Sequence, residues 1–291
     1  MRLFSNTKPY LQVLILLLLW LLMTLLASSF MVVCASAGVD IQEPDNQLWL
    51  QLVSQLVAFV GTAILFAFLF CSDGLRSFSF DGGRRQWGRA VAAVAIVLLL
   101  IPAVDWLSVW NESWHLPEQF AQVESRLRFV SEQSQLLVEL LLLKGDVGHL
   151  AANLLVLALC PALCEELFFR GTLQPALNRW FRNPHVAIVL TAIIFSIAHG
   201  DLFGFLPRLV LGVVLGYLYH LSGSLVVNIC AHFINNAIIV VLYYLYVQGI
   251  VVLNPSDPLC SPWLLTVLSL LAAAALFFLY FVKPQVLSAR Q

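Results

Sequence analysis

Three short polar motifs are set into otherwise apolar runs of this chain: Cys164-Glu165-Glu166-Leu167-Phe168-Phe169-Arg170, Phe195-Ser196-Ile197-Ala198-His199 and His232-Phe233-Ile234-Asn235-Asn236. Two carboxylates, two imidazoles and an amide are the groups that activate a water and donate hydrogen bonds to a developing oxyanion. They are also the groups of an intramembrane proton relay. Glu166 and Arg170 stand at i,i+4, the spacing and order of an ion pair along one helix face, so a structural pair that neutralises buried charge is an equal reading of those two residues. Glu165 is turned about 100° away on the same helix and has no such local partner, which leaves it free to act as a base. His232 and Asn236, again i,i+4, project from one face. Pro161, four residues before Glu165, is expected to free the carbonyl of Leu157 and bend the helix there.

The elements that carry these motifs are membrane spans. Of 291 residues, 61% are hydrophobic and 11% charged, against roughly 25% charged in an ordinary soluble domain. A mean hydropathy of +0.91 reads as a polytopic membrane protein. A net charge of −1 offers no surplus to neutralise a phosphate backbone, so no nucleic-acid partner is expected. The partner is the lipid bilayer. Apolar runs of spanning length fall at residues 10–33, 48–70, 90–110, 147–170 with an extension toward Trp180, 186–199, 207–220, 225–246 and 263–282. The sequence therefore predicts an all-α polytopic membrane helical bundle of about eight transmembrane helices. Charged residues inside such helices cost about 2.5–3.5 kcal/mol each at the centre, and three of these spans each contain polar groups.

The arginines set an orientation. Arg2, Lys8, Arg76, Arg84, Arg85, Arg89, Arg179, Arg182, Lys283 and Arg290 fall on one side if the spans alternate, whereas the opposite loops are mainly acidic. Both termini are thus expected in the cytoplasm. Residues 111–146 form the one long extramembrane segment, with the pattern of an amphipathic helix at the outer surface. Gly212-x-x-x-Gly216 permits close helix approach and reads as packing. The six cysteines show no CxxC or zinc-finger spacing and read as packing residues, although Cys34 and Cys260 lie in loops on the same side and could pair.

Glu165-Glu166-x-x-x-Arg170, Phe195-x-x-x-His199 and His232-x-x-x-Asn236, in that order on successive apolar helices, resemble the CPBP family of intramembrane peptidases, which includes type II CAAX prenyl proteases and bacteriocin-processing enzymes. The similar core is expected over residues 146–246, preceded by three spans and the external segment (1–145) and followed by the last span and tail (247–291). The resemblance implies an endopeptidase that hydrolyses a peptide bond of a membrane-associated, prenylated or leader-peptide substrate, in the bacterial cell (inner) membrane. It implies Glu165 polarising the attacking water, His199 assisting, His232 and Asn236 holding the oxyanion, Glu166 in the site, and Arg170 and Phe195 supporting it. Family members are commonly called metalloproteases. A divalent metal such as zinc would take His199, His232 and Glu165 or Glu166 as ligands, and metal-free catalysis by glutamate would use the same residues. The rival readings are a transporter or proton relay and a non-catalytic membrane scaffold built on the same polar cluster.

Overall fold

The computed structural model describes residues 4, 7–41, 43–71, 73–255, 257–258 and 262–288. Arg2, Arg290 and Cys260 lie outside the described residues, and with Cys260 so does the pairing with Cys34. Cys34, Cys71, Cys160, Cys164 and Cys230 are free thiols.

The described chain forms an all-helical bundle: α1 (Pro9–Ser36), α2 (Pro44–Phe70), α3 (Arg84–Glu112), α4 (Ala121–Leu142), α5 (Val147–Phe181), α6 (Pro184–Ala198), α7 (Phe205–Ser222), α8 (Leu225–Val247) and α9 (Trp263–Val286). Seven are long and apolar enough to cross a membrane; α4 is the amphipathic segment, and α6 is a shorter apolar helix of 15 residues. The eighth expected span thus exists but reaches only about 22 Å at 1.5 Å per residue, short of the roughly 30 Å hydrocarbon core. Its length is set by local signals. Asn183 caps its start, accepting hydrogen bonds from the N–H groups of His185 (2.9 Å) and Val186 (3.4 Å), with Pro184 in the first turn. Its end is marked by His199 and by Gly200, whose φ of +67° only glycine adopts readily.

Helix α5 is the long central element. Asp146 caps it by accepting from the N–H of His149 at 3.0 Å. The helix continues through Pro161, which stands in the first turn after a wide π-type turn at Leu154–Leu159. A second π-type turn, Phe169–Leu173, contains Arg170. The two wide turns bracket Glu165 and Glu166.

The alternation of spans is visible at the ends. The side chain of Arg89 donates to the carbonyl of Ser222 at 3.3 Å, the N–H of Leu225 to Ser79 at 2.8 Å, and Arg179 to Gln12 at 3.3 Å. At the other end Lys144 pairs with Asp45 at 2.6 Å. Two apolar clusters fill the bundle. One gathers Phe66, Phe70, Phe168, Phe169 and Phe195 from α2, α5 and α6. The other packs Ala93, Ile96, Leu215, Leu218 and Ala231 from α3, α7 and α8. Gly212 and Gly216 let α7 press against α6: a Cβ on Gly212 would meet Ala192 at 3.0 Å, and one on Gly216 would meet Ile188 at 2.7 Å.

Candidate active site

The polar groups of α5 turn toward α7 and α8. Arg170 and Glu166 form the ion pair that their spacing predicts, Nη1 to Oε1 at 2.7 Å, with both side chains fully buried. The second terminal nitrogen of Arg170 donates to the carbonyl of Gly212 at 3.1 Å, and one turn along α5 Gln174 donates to the carbonyl of Gly216, also at 3.1 Å. The glycine pair on α7 therefore does more than pack against α6. The close packing it permits accompanies two carbonyls that serve as acceptors for the polar side of α5. The Arg170 guanidinium also lies 4.9 Å from the centre of the Phe195 ring, within cation–π range, so Phe195 packs on the cation.

Glu166 is saturated from the other side. His232 Nδ1 lies 2.9 Å from Oε1, and the Asn228 amide donates to Oε2 at 3.0 Å while also donating to the Leu215 carbonyl at 2.7 Å. A carboxylate accepts, so the proton of this contact belongs on Nδ1, and Nε2 is the nitrogen turned outward. Glu165 lies on that outward side, its Oε2 3.9 Å from His232 Nε2. Glu165 is 8% exposed, and its Oε2 is buried with no hydrogen-bond partner among the described residues. Two adjacent glutamates thus have different surroundings: one is locked in an ion-pair network, and the other is held next to an imidazole with an oxygen uncommitted.

His199 stands at the end of α6. Its Nδ1 lies 2.8 Å from the carbonyl of Phe195, and its ring packs edge-on against the Phe195 ring with centroids 4.9 Å apart. Phe195 also meets His232, with centroids 6.1 Å apart. The two histidines therefore flank one aromatic ring on the same side of the bundle, His232 buried and His199 exposed. Glu165, Arg208 and His232 lie within electrostatic range of His199. Asn236, half-buried one turn beyond His232, accepts a hydrogen bond from Asn235 at 3.2 Å; the donor end of its amide is the end not used in that bond. The structure thus joins Glu166, Arg170, His232 and Phe195 by direct contact, sets Glu165 beside His232, places His199 across Phe195, and leaves Asn236 outside the contacts of the quartet. Sequence reasoning missed Asn228. The signal was present, since Asn228, His232 and Asn236 continue one i,i+4 row.

Among the described residues no three of His, Cys, Asp and Glu converge as metal ligands. Both oxygens of Glu166 are taken by Arg170, His232 and Asn228, so of the expected donors Glu165, His199 and His232 are the ones left to hold a metal, with no second free carboxylate beside them to activate water.

Near the cluster, a cavity of about 430 Å³ lies between α3, α7 and α8; it is mainly apolar, with Asn235 and Arg208 on its wall.

Comparison with known proteins agrees with the resemblance carried by the motifs. Residues 147–238 match the family model described as type II CAAX prenyl endopeptidase Rce1-like, which is consistent with the CPBP family. The match lies inside the expected core of 146–246 and contains every residue of the three motifs. No curated protein and no solved structure matches the chain.

Proposed function

We propose that this membrane protein is an intramembrane endopeptidase in which Glu165 activates water for attack on a peptide carbonyl. The family match implies a protease. The observation that carries the reading is the division of labour between the two glutamates. Glu166 has its charge met by Arg170 and its oxygens by Asn228 and His232, whereas Glu165 has a buried, unbonded oxygen 3.9 Å from His232 Nε2. A general base needs such an uncommitted oxygen beside the place where the water and carbonyl will sit.

In the proposed reaction Glu165 takes a proton from water as the oxygen attacks the carbonyl carbon. The charge that develops on the carbonyl oxygen is met by donors of α8: Nε2 of His232, when it carries a proton, and the amide of Asn236. A proton on Nε2 makes the group Glu165, Glu166, Arg170 and His232 electrically neutral. Glu165 then returns its proton to the leaving amine, and His199, on the other side of Phe195, assists the water or the leaving group. Glu166, Arg170 and Asn228 orient His232 and touch no reacting atom. The substrate is a membrane-associated peptide or protein whose apolar part is accommodated by the cavity between α3, α7 and α8. A prenylated C-terminal peptide fits the description of the matched family.

The test is hydrolysis of prenylated and unprenylated peptides by the purified protein in detergent or liposomes, with Glu165→Gln as the control. Wild type should cleave, and the variant should lose on the order of 10²–10⁴ in turnover with unchanged thermal unfolding, because the altered oxygen makes no hydrogen bond in the resting protein. Equal cleavage by the two proteins removes Glu165 from the reaction. Substrate-driven proton flux without cleavage would favour a relay instead.

A further inference from the structure

The loop that follows His199 is fastened at several points, and two of its partners come from α4, which the reaction above does not use. Asp201 is the centre. Its Oδ1 accepts from the hydroxyl of Ser131 on α4 and from the N–H of Phe203, both at 3.1 Å, and its Oδ2 accepts from Arg208 of α7 at 2.9 Å. Two residues along, the Phe203 ring lies under the guanidinium of Arg128 of α4 at 4.0 Å. Arg128 is itself fixed, by Glu124 at 2.9 Å and by the carbonyl of Trp114 at 2.6 Å. From the end of α3, the Asn111 amide donates to the carbonyl of Leu202 at 3.1 Å and accepts from the N–H of Leu206 at 2.7 Å.

These contacts bear on His199 because little else fixes it from outside its own helix. It is the last residue before Gly200, whose positive φ begins the loop; the one described hydrogen bond of its side chain is to Phe195 on the same turn, and its N–H donates to Ser196 of the same helix at 3.3 Å. Helix ends leave backbone groups without intrahelical partners and open locally more easily than helix interiors, and an opened end would swing the imidazole away from Glu165 and His232. A helix that only lay on the bilayer surface would not need a buried serine aimed at the loop carboxylate or an arginine stacked on the loop aromatic. We propose that α4 is a positioning element of the site: through Ser131 on Asp201 and Arg128 on Phe203 it holds the segment that carries His199, so that the imidazole stays on the Phe195 side facing Glu165. The proposal rests on the peptidase reading for its kinetic consequence, although the clamp itself can be observed without cleavage.

Two measurements test it on the full-length protein. The first is a double-mutant cycle in peptide hydrolysis. Ser131→Ala and Arg128→Ala should each lower kcat about three- to tenfold, the scale of one lost hydrogen bond, with KM little changed; in a His199→Ala background neither should have further effect. Leu136→Ala, on an exposed position of α4 away from the loop, should leave kcat unchanged. The second is carbethoxylation of His199, read by peptide mass spectrometry. Both clamp variants should raise its labelling rate several-fold, while the rate at His185, at the far end of α6, stays constant. Undiminished kcat, losses that persist in the His199→Ala background, or an equal loss in Leu136→Ala overturn the clamp. If the wild type cleaves nothing, the peptidase reading fails on its own, and unchanged labelling of His199 in both variants still overturns the clamp.

Discussion

His232 Nδ1 sits 2.9 Å from Glu166 Oε1, the same oxygen that receives Arg170 at 2.7 Å, so one carboxylate oxygen links a cation on its own helix to an imidazole on another. The contact fixes which nitrogen of His232 looks toward Glu165. It also means that Glu166 acts through His232 in the proposed reaction, although it lies beside Glu165 in sequence.

Breaking that link from one side leaves a buried charge unpaired. Arg170→Met should destabilise the protein by about 3–5 kcal/mol, and Glu166→Gln combined with Arg170→Met should recover much of the loss, because an apolar or neutral replacement of both partners removes the unpaired charge. Thermal unfolding in a fixed detergent measures both. A single variant as stable as wild type would show that the pair is not structural.

Asn228 supplies two hydrogen bonds from one amide, to Glu166 and to the Leu215 carbonyl. Asn228→Ala should cost about 1–3 kcal/mol of stability and lower turnover about tenfold as Glu166 and then His232 lose their aim. Asn228→Asp should be worse than alanine, since it sets a second carboxylate against Glu166. Stability and kinetics measured on the same preparations separate the two effects.

The segment before α4 should respond to acid. Glu124 accepts from the N–H of Leu116 at 2.7 Å, and this bond, with those from His115 and Arg128, lowers its pKa from 4.5 to about 2. A depressed carboxylate stabilises the fold above its unfolded pKa and ceases to do so as pH falls through its folded one. Protection of the Leu116 amide from hydrogen exchange, corrected for the intrinsic rate, should therefore be full at pH 5–7 and fall between about pH 4.5 and 2. In Glu124→Gln it should already be low at pH 7. Protection that stays flat to pH 2 in wild type would break this account.

Metal dependence can be read from stoichiometry. With Glu166 engaged in its ion pair, hydrolysis is expected from preparations holding well under one equivalent of zinc or any other divalent metal, measured per active molecule by titration of the site and elemental analysis. Activity that scales with bound metal, and is lost together with it in His232→Ala, would establish the other mechanism. Chelator sensitivity alone decides nothing, because chelators inhibit by other routes.

Gly74 and Glu118 lie at opposite ends of the bundle, on the loops before and after α3. If both termini are cytoplasmic, reporters fused at Gly74 and Gln291 should read as cytoplasmic and one at Glu118 as external. Because α4 and the His199 loop meet at the Glu118 end, the same experiment shows on which side of the membrane that loop lies. A reversed pattern would overturn the orientation drawn from the arginines.

Much of this protein was legible in its sequence because the relevant physics is local. A run of some 20 apolar residues reads as a membrane span whatever its neighbours do, and 3.6 residues per turn put Arg170 beside Glu166 and Asn228, His232 and Asn236 in one row before any helix packs on another. The helical bundle and the amphipathic α4 follow from that. What the tertiary structure decided is how the helices are rotated and how closely they approach. Only the packing of α5 against α7 and α8 assigns His232 Nδ1 to Glu166 and leaves Nε2 for Glu165. The same packing turns the carbonyls of Gly212 and Gly216 into acceptors and draws in Asn228. Only the docking of α4 connects Ser131 and Arg128 to the loop beyond His199. These are contacts between residues tens of positions apart, and the free energy that selects them comes from satisfying buried charge and backbone carbonyls across helices, which no periodicity along one helix encodes.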